Sequence, residues 1–230
     1  MARLLLSARR ALQLHLQTLA PSTSIPSRRS YITAMRQSTF KDNLLRILRT
    51  EITYESEHRP PKPPSPSFGP FSIEDNPGEQ WVRLRRQISP TEHLQVDATM
   101  FDGAAPVPDS FAKKVDAMDS DGARLHISLA VEVSKGESCP WVLQFVCSAW
   151  PDALDIEKVF PIAKDSMPLR PYMGRDFKEL DDELQEAVRG YLEERGVDDD
   201  LAEFLHGYMA NKDKAELVRW FRNVEAYVQK

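Results

Sequence analysis

The sequence is poor in cysteine and glycine, and it lacks any long apolar run. A transmembrane helix needs about 20 consecutive apolar residues, and no stretch of the 230 residues supplies them. Nine scattered glycines form neither a Walker loop nor a G-x-G-x-x-G motif. The chain therefore gives no support to direct membrane insertion or to the common phosphate-binding loops.

The two cysteines, Cys139 and Cys147, lie eight residues apart in a segment with a strand pattern. At about 3.3 Å per residue their Cα atoms would be about 26 Å apart, whereas a disulfide requires about 7 Å or less. We therefore expect two half-buried free thiols, in agreement with a reducing compartment.

Catalytic and metal-binding motifs are also missing. The sequence contains no C-x-x-C, no H-E-x-x-H and no G-x-S-x-G nucleophile elbow. Both His93 and His126 alternate with apolar neighbours, so we expect them to be surface residues. We predict no catalytic residue, no cofactor site and no metal site. The histidines that follow position 31 are His58, His93, His126 and His206.

Acidic residues are absent before Asp42, and this absence marks the N-terminal segment. Residues 1–31 combine five arginines with many serines and with leucines spaced as in a basic amphipathic helix. An Arg-rich, Ser-rich, acid-poor segment is typical of a mitochondrial transit peptide. Arg9 and Arg10 interrupt the apolar run that a secretory signal requires. A chloroplast address and a disordered basic tail are the alternatives.

The rest of the chain is acidic. Residues 32–230 carry 25 basic and 35 acidic side chains, a net charge of −10. Such a body repels nucleic-acid phosphates and favours basic partners or cations. A chain of this length can form one large domain or two small ones, and we treat residues 32–230 as one domain.

The domain begins with a predicted helix over residues 42–55, where apolar side chains recur at helical spacing. Residues 59–70 contain six of the 17 prolines and read as an extended linker. A Pro-rich ligand for an adaptor domain is the alternative interpretation of this linker.

Residues 79–163 alternate between apolar and polar side chains with the period of two that marks strands with one buried face. Turn signals separate the strands, and no helical pattern long enough for a parallel crossover intervenes. The pattern predicts an antiparallel meander of at least five strands, at residues 81–85, 94–100, 125–133, 141–147 and 154–160.

Residues 176–229 change to the helical period of 3.6. Gly196 is placed to end a first helix, Asp198 to cap a second, and Asn211 to open the last. The last helix has an apolar stripe too broad for a lone surface helix, so we expect its residues to pack or to oligomerise. They are Leu217, Trp220, Phe221, Val224, Tyr227 and Val228. The whole pattern indicates an α+β fold.

Two acidic clusters lie in the same region and are expected on the polar sides of these helices. A solvated face is far more common for such clusters than a pair of catalytic carboxylates. We therefore predict that they belong to a partner-binding acidic surface. Their residues are Asp181, Asp182, Glu183, Asp198, Asp199 and Asp200.

Four parts of the C-terminal region together resemble the C-terminal signature of the mitochondrial glycoprotein family. They are the segment from Tyr172 to Phe177, Leu180-Asp181, the run from Tyr191 to Gly196, and Trp220. These are acidic matrix proteins that include the animal protein known for binding a complement component. The resemblance implies a twisted antiparallel sheet of about seven strands flanked by N- and C-terminal helices. It also implies a ring-shaped homotrimer with one acidic face.

The same resemblance implies a non-enzymatic scaffold or chaperone-like protein of the mitochondrial matrix. Such a protein would bind basic mitochondrial proteins, with ribosomal proteins as candidates, and support mitochondrial gene expression, ribosome assembly or oxidative phosphorylation. Whether nucleic acid binds is left open. The alternative is a small matrix hydrolase with a cryptic carboxylate and histidine site beside His93, His126 or His206.

We predict that residues 1–31 are removed after import, because the acid-free segment ends at Arg29-Ser30-Tyr31. Terminal sequencing of the protein from its tissue should give a first residue between about Ile32 and Asp42. Intact Met1 on protein purified from mitochondria would contradict this prediction.

Overall fold

The computed structural model describes residues 28–106, 123–164 and 171–230. The predicted transit peptide therefore lies outside the described residues except for its last four positions. The chain divides into two compact units, residues 1–43 and residues 44–230. All described residues of the first unit belong to one helix, on which Met35 and Phe40 are exposed.

Helix α1 spans Arg28–His58 and is longer than the predicted helix over residues 42–55. No proline or glycine interrupts the sequence between these ends, so nothing in it opposes helical backbone. The helix ends immediately before Arg59, because a residue that precedes proline is disfavoured in helical conformation. In the second unit, Leu45 and Leu48 are the buried residues of α1.

Eight strands form one antiparallel sheet in the described residues. Seven of them follow each other across the sheet in the order β1-β2-β3-β4-β6-β7-β8, and β5 pairs with β6 beside this path. The five predicted strands correspond to β3, β4, β6, β7 and β8, whereas β1, β2 and β5 were not predicted. The bounds are β1 Ser67–Phe68, β2 Phe71–Glu74, β3 Trp81–Gln87, β4 Glu92–Thr99, β5 Gly103–Pro106, β6 Ala123–Lys135, β7 Trp141–Trp150 and β8 Ala153–Ala163.

The register places apolar residues opposite each other in rows across the strands. One row pairs Leu84 with Val96, Val96 with Val131, Val131 with Phe145 and Phe145 with Val159. The first four of these side chains are buried, and Val159 packs against the same core. Cross-strand apolar pairs are the unit of sheet stability, so these rows explain why the alternating sequence pattern predicts the sheet.

Helix α2 spans Asp182–Glu193 and ends as predicted at Gly196, whose φ of 75° lies in the left-handed region. The amide of Gly196 donates to Glu193 O at 2.8 Å, and the amide of Val197 donates to Leu192 O at 3.0 Å. This is the Schellman arrangement. A Cβ on Gly196 would also meet Arg86 Nη1 at 3.0 Å and Phe71 Cε2 at 3.3 Å. Both the left-handed backbone and these close contacts therefore favour glycine at this position.

Helix α3 spans Asp199–Gln229 without a break, so the prediction that Asn211 opens a separate last helix is wrong. The first half of α3 buries Leu201, Leu205 and Met209 against the sheet. Continuous helix formation across Asn211 follows because its amide has a partner outside the helix and does not compete for the helix backbone.

That partner is the Pro-rich strap, residues 59–66, which runs extended and exposed between α1 and β1. The amide of Lys62 donates to Asn211 Oδ1 at 2.7 Å, and Asn211 Nδ2 donates to Lys62 O at 2.9 Å. Residues 67–70 of the predicted linker instead begin the sheet, since Ser67 and Phe68 pair with β2.

A buried ion pair joins α3 to the turn after β2. The Nζ atom of Lys212 donates to Asp75 Oδ1 and, at 3.2 Å, to Asn76 O, while the Tyr208 hydroxyl donates to Asp75 Oδ2 at 2.9 Å. The Lys212 side chain is only 2% exposed. Burial, together with the Asp75 carboxylate, raises the pKa of Tyr208, so its hydroxyl remains a donor.

We predict that Asp75→Ala destabilises the protein by about 3–5 kcal/mol, because it leaves the Lys212 charge buried without its partner. Glu74→Ala is the matched control: Glu74 pairs with Arg85 at the surface, where both side chains are about half exposed, and its loss should change stability by about 0–1 kcal/mol. Urea unfolding monitored by circular dichroism measures both. Equal losses for the two variants would contradict a dominant role for the buried pair.

Candidate functional site

The last helix presents aromatic side chains that its own chain does not cover. In the second half of α3, Trp220 is 57% exposed and Tyr227 is 82% exposed. They are seven residues apart, and this spacing puts them on one side of the helix. Large exposed apolar groups that lie together mark interaction sites more often than chance surface residues do.

The other residues of the predicted stripe are half-buried. Leu217, Phe221, Val224 and Val228 have intermediate exposure, and Val218, which the stripe did not include, is buried. The sequence therefore identified the apolar character of this segment, but not which of its residues the chain itself covers.

The C-terminal part of α1 lies beside the end of α3. Arg49 Nε is 2.8 Å from Glu225 Oε1, which joins the two helices of the second unit. Helix α1 carries a similar exposed pair on one side, since Ile47 is 42% and Tyr54 is 46% exposed. Each terminal helix thus carries two exposed apolar side chains seven positions apart.

The predicted acidic surface lies at the beginnings of α2 and α3. The Asp181 carboxylate caps α2 by accepting from the Glu183 amide at 3.1 Å, and that of Asp198 caps α3 by accepting from the Leu201 amide at 3.0 Å. Asp199 Oδ1 accepts from the Leu154 amide of β8 at 2.7 Å. Carboxylates are favoured here because helix N-termini carry unpaired N–H groups and a partial positive charge.

The remaining three acids of these clusters, Asp182, Glu183 and Asp200, are exposed and make no capping hydrogen bond that the structure describes. These three carboxylates are the part of the predicted surface that can meet a partner without unfolding a helix end. Residues 28–106, 123–164 and 171–230 include no group of three or more His, Cys, Asp or Glu side chains placed to hold a metal ion.

A polar cluster surrounds His126, one of the three histidines beside which the alternative hypothesis placed a carboxylate. Its Nδ1 atom is 2.7 Å from Asp102 Oδ1, and its Nε2 atom is 2.8 Å from Ser148 Oγ. The Ser148 hydroxyl in turn lies 3.2 Å from Glu157 Oε1. His93 is exposed as expected, but the expectation that His126 is a surface residue is wrong, because its side chain is only 18% exposed.

An irregularity in the sheet brings Asp102 to this cluster. Ala98 pairs with Leu129, and Gly103 pairs with His126. Between these two pairs, the segment that connects β4 to β5 contains two residues more than the facing part of β6. The extra residues turn Asp102 towards the His126 ring. Because the four residues come from distant parts of the chain, no local sequence motif indicates them.

The Asp102 carboxyl is held in its ionised form. Burial opposes ionisation, but hydrogen bonds from Ser128, His126 and Thr99 outweigh it and lower the pKa of Asp102. A carboxyl with a lowered pKa in the folded state contributes stability above its unfolded pKa, and this contribution is lost as the pH falls through the folded value.

Asp102, His126 and Ser148 have the order of a hydrolase triad, but Ser148 is poorly placed for nucleophilic attack. The residue is 8% exposed, and it lies inside β7, paired with Ser128 on one side and Asp155 on the other. Oxyanion stabilisation needs free donors that face the reacting carbonyl, whereas strand amides bond within the sheet. The arrangement therefore favours a role within the protein over ester or peptide hydrolysis.

The structure is an α+β fold with long terminal helices and with acidic residues at the beginnings of α2 and α3. The family model for MAM33, the mitochondrial glycoprotein family, matches residues 48–228. Because this match covers most of the chain, the protein belongs to the mitochondrial glycoprotein family. The resemblance stated from the C-terminal residues is thereby confirmed.

Two relatives carry mitochondrial names. An uncharacterized mitochondrial protein of Arabidopsis thaliana is 29% identical over 206 residues, which cover 87% of this chain and 80% of the relative. The mitochondrial acidic protein mam33 of Schizosaccharomyces pombe is 25% identical over 215 residues, which cover 82% of this chain and 79% of the relative.

Two solved structures share the fold. The p22 protein of Trypanosoma brucei aligns with a TM-score of 0.64 at 21% identity, covering 83% of this chain and 99% of that one. A hypothetical protein from Leishmania major, described as a sequence homologue of human p32, aligns with a TM-score of 0.60 at 20% identity, covering 82% and 98%. In the described part of this chain, no helix combines the length and apolarity needed to cross a membrane.

Proposed function

We propose that this protein is a non-enzymatic, acidic binding protein of the mitochondrial matrix that acts as a homotrimer and binds basic proteins. Its family membership and the mitochondrial names of two relatives support the location. The net charge of −10 over residues 32–230 supports the choice of basic partners. Scaffolding or chaperone-like support of mitochondrial gene expression, ribosome assembly or oxidative phosphorylation is the role that fits such binding.

The observation that carries the assembly is the exposure of Trp220 and Tyr227 on a helix whose first half buries one face against the sheet. An aromatic side chain that buries about 150 Å² contributes roughly 4 kcal/mol. The total free energy of unfolding of a domain is only about 5–15 kcal/mol. The burial energy that two such side chains fail to contribute in water is large by comparison. A second and third copy of the chain would supply the missing cover.

The binding surface in this proposal is the set of solvated acids at the helix ends, namely Asp182, Glu183 and Asp200. Single exposed ion pairs contribute only about 0–1 kcal/mol, so recognition must come from many charges presented together. A trimer repeats each cluster three times and brings the carboxylates of three chains to one partner. A small matrix hydrolase is the alternative, and the burial of Ser148 within β7 disfavours it at the His126 cluster.

We expect Trp220→Ala to weaken assembly far more than it weakens the fold of the single chain, because the side chain is 57% exposed there. Light scattering at micromolar concentration should give a trimer for the unmodified protein and a smaller species for the variant. Trp141→Ala is the matched control, since Trp141 is 53% exposed at the start of β7. A well-folded wild-type monomer, or equal effects of the two variants, would refute the proposed assembly surface.

We also expect the triple variant Asp182→Asn, Glu183→Gln, Asp200→Asn to capture fewer basic matrix proteins, while the caps Asp181 and Asp198 keep its helices intact. Because screening acts over about 8 Å at physiological salt, capture by the wild type should fall sharply as salt rises. The variant and its control are compared by affinity capture from mitochondrial extract at two salt concentrations.

The control for this experiment removes the same charge elsewhere, from three other exposed acids. If it lowers capture as much as the triple variant does, net charge acts without a defined surface. If wild-type partners stay bound at high salt, the electrostatic mechanism is wrong. The control substitutions are Glu57→Gln, Glu137→Gln and Asp213→Asn.

A further inference from the structure

The Pro-rich strap has a backbone conformation that its own sequence dictates. Residues 59–66 read Arg-Pro-Pro-Lys-Pro-Pro-Ser-Pro, so each of them is a proline or directly precedes one. Proline fixes φ at about −65°, and a residue that precedes proline is shifted to the extended region. The sequence therefore favours a polyproline II helix, with about three residues per turn and a rise of about 3.1 Å per residue. In the structure, residues 60–65 accordingly belong to no helix, strand or turn.

The period of this helix arranges the prolines of the strap in two rows. One row contains Pro60, Pro63 and Pro66, and the other contains Pro61 and Pro64. Neighbouring rings within a row are about 9 Å apart along the strap. Every residue of the strap is exposed, so the rings of both rows are accessible to a partner.

The strap is held at both ends and in the middle by its backbone. Its first amide donates to Glu55 O at 3.1 Å, and its last carbonyl accepts from the Ile73 amide at 2.9 Å. In the middle, the side-chain amide of Asn211 accepts from the Lys62 N–H at 2.7 Å and donates to the Lys62 carbonyl at 2.9 Å. These anchors use backbone atoms of the strap and leave its proline rings exposed.

Such anchoring prepares the strap for binding. A flexible peptide loses conformational freedom when a partner orders it, and this loss weakens its affinity. A segment that is already fixed in the polyproline II conformation loses little, which is why this helix recurs as a recognition element. The two hydrogen bonds from Asn211 hold the strap in this conformation before any partner arrives.

The chemistry of the strap also defines the partner. Proline rings pack against aromatic side chains, and aromatic-lined grooves are the usual receptors for polyproline II segments. Because proline has no N–H, the rows offer carbonyl acceptors alone, which Trp N–H and Tyr O–H groups can satisfy. The exposed Lys62 places a positive charge between the two Pro-Pro pairs, so an acidic side chain at the rim of the groove would complement it.

We propose that the Pro-rich strap is a preformed docking ligand for a second protein, whose binding groove is lined by aromatic side chains about 9 Å apart. The exposed aromatic residues of this chain itself, Trp220 and Tyr227, lie on the convex surface of a single helix, whereas a groove takes a polyproline II ligand. A different protein is therefore the expected occupant. This interaction is separate from the acidic surface at the beginnings of α2 and α3.

The first test measures the affinity of the full-length protein for purified WW and Src-homology 3 domains, two classes with aromatic grooves for polyproline II ligands. We expect at least one of them to bind in the micromolar range. Pro61→Ala with Pro63→Ala removes one ring from each row, so whichever row is bound loses about two methylene groups. This loss should weaken binding by about tenfold.

The matched control is Pro70→Ala with Pro77→Ala, which removes two exposed prolines outside the strap and should keep the wild-type affinity. Circular dichroism verifies that both double variants are folded. Absence of binding to every domain of both classes, or equal affinities for the two double variants, would overturn the proposal. A change in the light-scattering mass of the strap variant alone would identify a second copy as the occupant and overturn it too.

The second test concerns the anchoring by Asn211. Asn211→Ala keeps every proline of the strap but removes both hydrogen bonds to Lys62, so it should bind the same domain more weakly than the wild type does. A synthetic peptide of residues 58–67, which has the prolines without the anchors, should compete for the groove with a lower affinity than the full chain. A peptide that fails to compete, or that binds as tightly as the full chain, would refute a preformed ligand, even if Asn211→Ala failed to fold.

Discussion

The buried pair of Lys212 and Asp75 is the constraint on which the arrangement of the C-terminal half depends. Desolvating an ammonium costs several kcal/mol unless its hydrogen bonds are replaced, and here Asp75, Asn76 and Tyr208 complete the network. The pair fixes the rotation of α3 about its axis. One turn later, Glu216 accepts from the Gly78 amide at 3.0 Å, so the turn between β2 and β3 is held along α3. The directions of Trp220 and Tyr227 follow from this anchoring.

The position of Lys212 also explains the division of α3 into a covered and an uncovered half. A helix of 31 residues is about 46 Å long, whereas the ten residues of β7 extend about 33 Å. Beyond Lys212 only Val218 is buried, and α1 supplies the remaining support through Arg49. The acidic clusters are divided in a comparable way. The carboxylates of Asp181 and Asp198 cap α2 and α3, whereas those of Asp182, Glu183 and Asp200 face water.

Local sequence pattern predicted those elements whose burial repeats with a fixed period. It gave five strands, the end of α2 at Gly196 and the capping of α3 by Asp198. It missed β1, β2 and β5, because strands of two to four residues beside proline and glycine have too few alternations to be recognised. It placed a helix start at Asn211, since asparagine favours caps, although the Lys62 backbone takes up the amide. Contacts distant in sequence decided these cases.

The case of His126 shows why strand alternation alone cannot locate a polar site. Alternation correctly assigns this ring to the face away from the core, but that face is not solvent at this point. Two extra residues between β4 and β5 carry Asp102 over it, and Trp150 packs beside the ring with 4.9 Å between centroids. Once water is displaced there, every polar group needs a partner within the protein. Ser148 contacts both the imidazole and Glu157, so the geometry of the sheet, rather than any motif, assembles this cluster.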